Sequence, residues 1–131
     1  MTERIIRMRR RLERGYASIH GIAAEPQTGL TMAKLRRACA KRIFSPVPEG
    51  EWRHVQILLR DELARADAES GTDKQGLFLA LCEEAADPLE LCERFHIEAR
   101  TYYAWRTDIL NAAMLLSTEE GCFSLRRREI R

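Results

Sequence analysis

The stretch Asp87–Arg106, DPLELCERFHIEARTYYAWR, holds two helix starts separated by one short break. Asp87-Pro88 makes the first start. An aspartate accepts from the free N–H groups at a helix N-terminus, and a proline in the first helical position gives up an N–H that has no partner there. Leu91, Cys92 and Phe95 then fall on one helical face. His96 marks the break, where a tight reversal calls for positive φ; glycine takes that conformation most readily and histidine tolerates it. Glu98 precedes the second start, where its charge suits the positive end of a helix. Tyr102, Trp105 and Ile109, with Ala113 and Leu116, carry an apolar stripe through a helix over about residues 99–116. Cys92 offers a small side chain where two helices approach closely, and Phe95 and Ile97 bracket the turn as plugs of the angle. Two helices joined in this way form a helix-turn-helix.

Outward from this stretch, the chain reads as helices throughout. A first helix is predicted over 2–19, with Ile5, Met8, Leu12, Tyr16 and Ile19 as its stripe and six arginines on its other faces. Gly15 weakens it late. AEPQTG, residues 24–29, is a loop. A second helix begins after Thr31, with Met32, Leu35, Cys39 and Ile43 inward and Lys34, Arg36, Arg37, Lys41 and Arg42 outward, and the prolines of SPVPEG stop it. A long third helix covers about 50–69 with Trp52, Val55, Leu59, Leu63 and Ala66 repeating at steps of three and four. SGTDKQG, residues 70–76, separates it from a fourth helix over 74–86, with Leu77, Phe78, Leu81, Cys82 and Ala85 inward. The tail STEEGCFSLRRREIR has two readings, a short extended piece around Cys122–Leu125 or a frayed helix. The predicted fold class is all-α, with N-terminal helices followed by a C-terminal helix-turn-helix three-helix unit. The predicted parts are 1–70, a helical part with two basic helices and a long third one; 73–116, the helix-turn-helix unit; and 117–131, a basic tail.

The 131 residues are 45% hydrophobic, enough for one core, and 32% charged, which suits helices with solvated faces. No apolar run approaches the length of a membrane span, and the arginine-rich start lacks the apolar region of a secretory signal. Cys39, Cys82, Cys92 and Cys122 are scattered, so a reduced intracellular setting is expected. The net charge of +2 conceals three blocks: +7 over residues 1–50, −8 over 51–120 and +3 over 121–131. Either the basic blocks hold a polyanion, or they pair with the acidic one.

The segment LELCERFHIEARTYYAWRTDILNAAMLL resembles the helix-turn-helix of sigma-factor region-four-like proteins, and within that group the small phage-encoded regulators of late-gene transcription. The resemblance spans about residues 77–116. The family pattern has a small residue in the first helix, an apolar-Gly-Ile-Ser turn, and a threonine–aromatic–arginine start to the recognition helix. Here those places hold Cys92, Phe95, His96, Ile97, Glu98, Thr101, Tyr102, Tyr103 and Arg106, with His96 replacing glycine and Glu98 replacing serine. The resemblance implies a DNA-binding transcriptional regulator of phage or prophage type whose helix over about 99–116 enters the major groove. The DNA-binding candidates are Arg100, Thr101, Tyr103 and Arg106, the arginines for guanine or phosphate and the hydroxyls for phosphate or a base edge. The implied partners are double-stranded DNA, RNA polymerase or another phage protein, and a second copy of the chain, since a dimer reaches two half-sites.

Residues 87–116 carry a charge of −2, so phosphate affinity has to come from the basic first and second helices and the tail. The alternative function is a non-enzymatic protein-interaction module that keeps the helix-turn-helix shape without binding DNA. Cys92 and His96 are spaced as a metal pair can be, yet no third or fourth ligand accompanies them, so no metal is predicted. Glu83-Glu84 and Glu119-Glu120 are neighbours that do not face one site. Phosphate-binding, dinucleotide-binding and nucleophile-elbow motifs are absent, so neither a catalytic role nor a cofactor is predicted.

Overall fold

The run ILNAAMLLS, residues 109–117, offers almost no polar stripe to water, and a helix of that kind has to be enclosed on all sides. The computed structural model describes residues 15–19, 32–83 and 87–127. In chain order these form strand β1 (Gly15–Ile19), helices α1 (Met32–Ile43), α2 (Glu51–Ser70), α3 (Lys74–Cys82), α4 (Pro88–Phe95) and α5 (Ala99–Glu119), and strand β2 (Phe123–Arg127). The class is all-α: the helices carry the core, and the strands form one small antiparallel ladder.

The enclosed run is the second half of α5, and α5 packs against each of the other four helices. Ile109, Leu110 and every residue from Ala112 to Ser117 are buried. α1 presents Leu35, Cys39 and Ile43 to the core, and α2 presents Trp52, Val55, Leu59, Leu63 and Ala66. α3 adds Leu77, Phe78, Ala80 and Cys82, and α4 adds Leu91. The stripes of α1 and α2 are the predicted ones, while α3 ends at Cys82 and not near residue 86, and buries Ala80 with the expected Leu81 half-buried; one apolar cluster joins residues of all five helices. Ala85, predicted to face inward, lies outside the described residues. The buried hydroxyl of Ser117 donates to the Ala113 carbonyl at 2.5 Å, so the core's one buried polar side chain among the described residues is satisfied.

The corners are tied by side chains that reach across them. Where the prolines end α1, the Gln56 amide of α2 donates to the carbonyls of Ile43 at 3.1 Å and Ser45 at 2.9 Å. Those are groups that a helix C-terminus leaves unpaired. Between α2 and α3, Gly71 takes the left-handed conformation at φ 66°. The Asp67 carboxylate then accepts from the backbone N–H groups of Lys74 and Gln75, both at 2.9 Å, and from the Thr72 hydroxyl at 2.6 Å. One side chain of α2 thereby caps the next helix.

Residues 15–19 correct the predicted first helix. They form β1, which pairs with β2 from Gly15↔Arg127 to Ile19↔Phe123. Gly15 is a poor helix residue, Tyr16 and Ile19 suit a strand, and the partner that decides between the two lies over 100 residues away. Residues 2–14 of that predicted helix lie outside the described residues. The extended reading of the tail holds, and its strand begins at Phe123, after Cys122 has entered the core.

Candidate nucleic-acid interface

α4 starts as its sequence requires. The Asp87 side chain accepts from the Leu89 N–H at 3.4 Å, and Pro88 occupies the first helical position. At its other end His96 adopts φ 53°, ψ 46°, the one positive φ outside glycine among the described residues. Two backbone bonds close that end. His96 N–H donates to the Glu93 carbonyl at 3.3 Å, and Ile97 N–H donates to the Cys92 carbonyl at 3.0 Å. This is the Schellman arrangement: a left-handed residue lets the chain turn while the last carbonyls of the helix stay paired. Ile97, Cys92 and Phe95 pack against the core as half-buried residues. Phe95 is therefore a partial plug, sharing its ring face with the Arg94 guanidinium at 5.7 Å, and not the fully enclosed residue that the sequence suggests.

The chain then extends through Glu98 at φ −76°, ψ 158° and enters α5. The Glu98 side chain makes no capping bond. Tyr102 anchors the first half of α5: it is buried, and its ring meets Tyr103 edge-on at 5.0 Å. Burial pushes the Tyr102 phenol above its ordinary value, opposed by the positive charge of Arg106 one turn along the helix.

The four predicted contact residues divide. Arg100 and Tyr103 are exposed one turn apart on the same face, and Arg100 has no ion pair among the described residues. Thr101 is half-buried at the flank. Arg106 sits four residues after Tyr102 and three before Ile109, so it shares their packed side. Its guanidinium lies 5.4 Å from the Phe44 ring centroid, which places it at the base of the surface and not on the open face. Ala99, Ala104 and Thr107 complete that face. Thr107 is the residue the sequence reading missed, although its place four after Tyr103 and seven after Arg100 was the available signal.

The electrostatic surroundings are mixed. α1 docks on α5 through Arg36, which donates to Asn111 at 3.0 Å, and through Phe44 beneath Arg106. It carries Arg37 and Lys41 exposed at a four-residue spacing. Of the acidic groups in 87–116, Asp87 caps α4 and Asp108 pairs with Lys74 at 3.1 Å. Glu90, Glu93 and Glu98 are exposed on α4 and the turn. Among the described residues no cluster of His, Cys, Asp or Glu is arranged to hold a metal, and no helix is long and apolar enough to cross a membrane. Three thiols are withdrawn from reactivity by burial: Cys39 is pushed up to about 12 and Cys82 and Cys122 to about 11, from an ordinary 9.0.

No protein-family profile matches the chain, and no curated protein or solved structure matches it either.

Proposed function

We propose that the chain is a DNA-binding transcriptional regulator of phage or prophage type, which places the first half of α5 in the major groove. One observation carries the reading. A left-handed turn at His96 sets α5 on α4 so that its first half exposes Arg100, Tyr103 and Thr107 while Tyr102 and Arg106 hold the other side. A helix gripped on one side and open on the other, with its N-terminal residues outward, is what groove reading uses. Arg100 offers a bidentate donor for guanine, and the Tyr103 and Thr107 hydroxyls suit phosphate or base edges. The phage assignment rests on the sequence resemblance alone. Action as a homo-oligomer in the bacterial cytoplasm, beside RNA polymerase, belongs to the same proposal.

A titration of random and prophage-derived duplexes at several salt concentrations tests it. The proposal expects tighter binding to some duplexes and a steep negative log–log salt slope; no binding at 50 mM salt refutes it.

A second reading has an observation of its own. Leu89 is 68% and Tyr103 57% exposed, and Glu90, Glu93 and Glu98 stand near them in sequence. Apolar groups rimmed by acids suit a protein partner such as a polymerase subunit. In that case the same titration shows no duplex binding.

A further inference from the structure

We propose that Arg37 and Lys41 of α1 hold the phosphate strand that borders the groove read by α5, which makes α1 the cationic flank of one DNA surface. This assignment rests on the DNA-binding reading and gives that surface its backbone contacts.

α1 is an unbalanced helix. Its sequence, MAKLRRACAKRI, holds five cations and no acid. Two of the cations are committed within the fold. Arg36 Nε donates to Asn111 Oδ1 at 3.0 Å, and the Arg42 guanidinium lies 5.9 Å from the Trp52 ring centroid. Arg37 and Lys41 are exposed, and neither makes an ion pair among the described residues. Like charges four residues apart on a helix repel each other, so this row asks for an anion from outside the fold.

The packing brings that row to the edge of the reading face. Tyr103, Thr107 and Asn111 follow at steps of four, so one ridge of α5 runs from the open face to Asn111. α1 meets the far end of this ridge, because Arg36 bonds Asn111 and Phe44 lies beneath Arg106. Thr107 falls between the two contacts in sequence, so α1 abuts the open face. Arg37 and Lys41 form the next row of α1, rotated about 100° from Arg36 and Ala40 and away from the buried Leu35, Cys39 and Ile43.

Packed helices lie about 8–10 Å apart, and the major groove is about 12 Å wide. A helix beside the reading helix therefore meets the sugar–phosphate strand at the edge of the groove. Charge complementarity favours that strand on this side. Asp108 is turned to Lys74 of α3, at 3.1 Å, and Glu90, Glu93 and Glu98 stand on α4 and the turn.

The test measures the affinity of the full chain for a prophage-derived duplex and for a random-sequence duplex of equal length, from about 50 to 300 mM salt. Arg37→Gln and Lys41→Gln should each flatten the log–log slope by roughly 0.9. Each should weaken both duplexes several-fold and leave their affinity ratio unchanged, because a phosphate contact carries no sequence information. Helix content by circular dichroism should not change, since both side chains are exposed. Arg53→Gln removes the same charge from the exposed side of α2, next to His54, which pairs with Glu120 about 30 Å along the α5 axis from Arg100. That variant should keep the slope of the unaltered chain. A slope no flatter than that of Arg53→Gln in either α1 variant, or an altered affinity ratio, overturns the flank and leaves the DNA reading standing. Absence of duplex binding in the unaltered chain overturns both.

Discussion

The two halves of α5 share one backbone and live in different solvents. From Ile109 to Ser117 nearly every side chain is buried, whatever its direction around the helix. From Ala99 to Asp108 Tyr102 alone is fully buried, and Ala99, Arg100, Tyr103, Ala104 and Thr107 face water. The second half fixes the fold, because its side chains are enclosed in the core that the five helices share. The first half projects past that packing and is held by the His96 turn, Tyr102 and the Phe44–Arg106 contact. Substitutions in the two halves should therefore report on different properties, stability in one and recognition in the other.

Alkali gives the largest separation. Cys39 and Cys122 adjoin the buried end of α5, and Cys82 lies in the same core. Their folded values stand above the ordinary 9.0, so the unfolded chain loses its thiol protons first. This stabilisation is complete below pH 9 and declines as pH rises toward about 11–12. At pH 10 the Cys39 thiol, the most deeply enclosed of the three, accounts for about 1 kcal/mol of loss. Denaturant titrations at pH 8 and pH 10 should show the decline, reduced in Cys39→Ala; an equal decline in that variant contradicts the assignment.

Met114→Ala should cost about 3 kcal/mol, since Met114 is wholly enclosed and its removal leaves a cavity. A loss below 1 kcal/mol would mean that the second half of α5 is not the packed axis. Asp67→Ala should cost about 2 kcal/mol by freeing two helix N–H groups and the Thr72 hydroxyl; thermal unfolding reads this directly. His96→Gly should gain about 0.5–1 kcal/mol by relieving a left-handed non-glycine residue, and His96→Val should lose stability. Stabilisation by valine would show that the turn is not left-handed. Arg100→Ala and Tyr103→Ala should change stability by less than about 0.5 kcal/mol. Arg100→Ala should weaken a specific duplex by about 1–3 kcal/mol and relax discrimination at one base pair.

The packed half and the helix stripes could be read from sequence because burial follows a spacing that the chain carries locally. Leu35, Cys39 and Ile43, or Trp52, Val55, Leu59 and Leu63, define a face without knowledge of their partners. His96 could be read for the same reason, since a short break between two periodic segments asks for a left-handed residue. What escaped depended on distant partners. Residues 15–19 become a strand through pairing with 123–127. Asp67 caps a helix other than its own. Arg106 has a charged tip that suggested exposure, but its guanidinium lies over Phe44, over 60 residues away in sequence. On the open face, Arg100 and Tyr103 stand where the sequence placed them.

Amide chemical-shift mapping with a bound duplex tests the division of α5 most directly. Titrating DNA into the labelled chain should move the amides of Ala99–Thr107 and leave Ile109–Ser117 in place, with the largest changes at Arg100 and Tyr103. Shifts confined to α2 and α3, or no shift at saturating duplex in low salt, would contradict it.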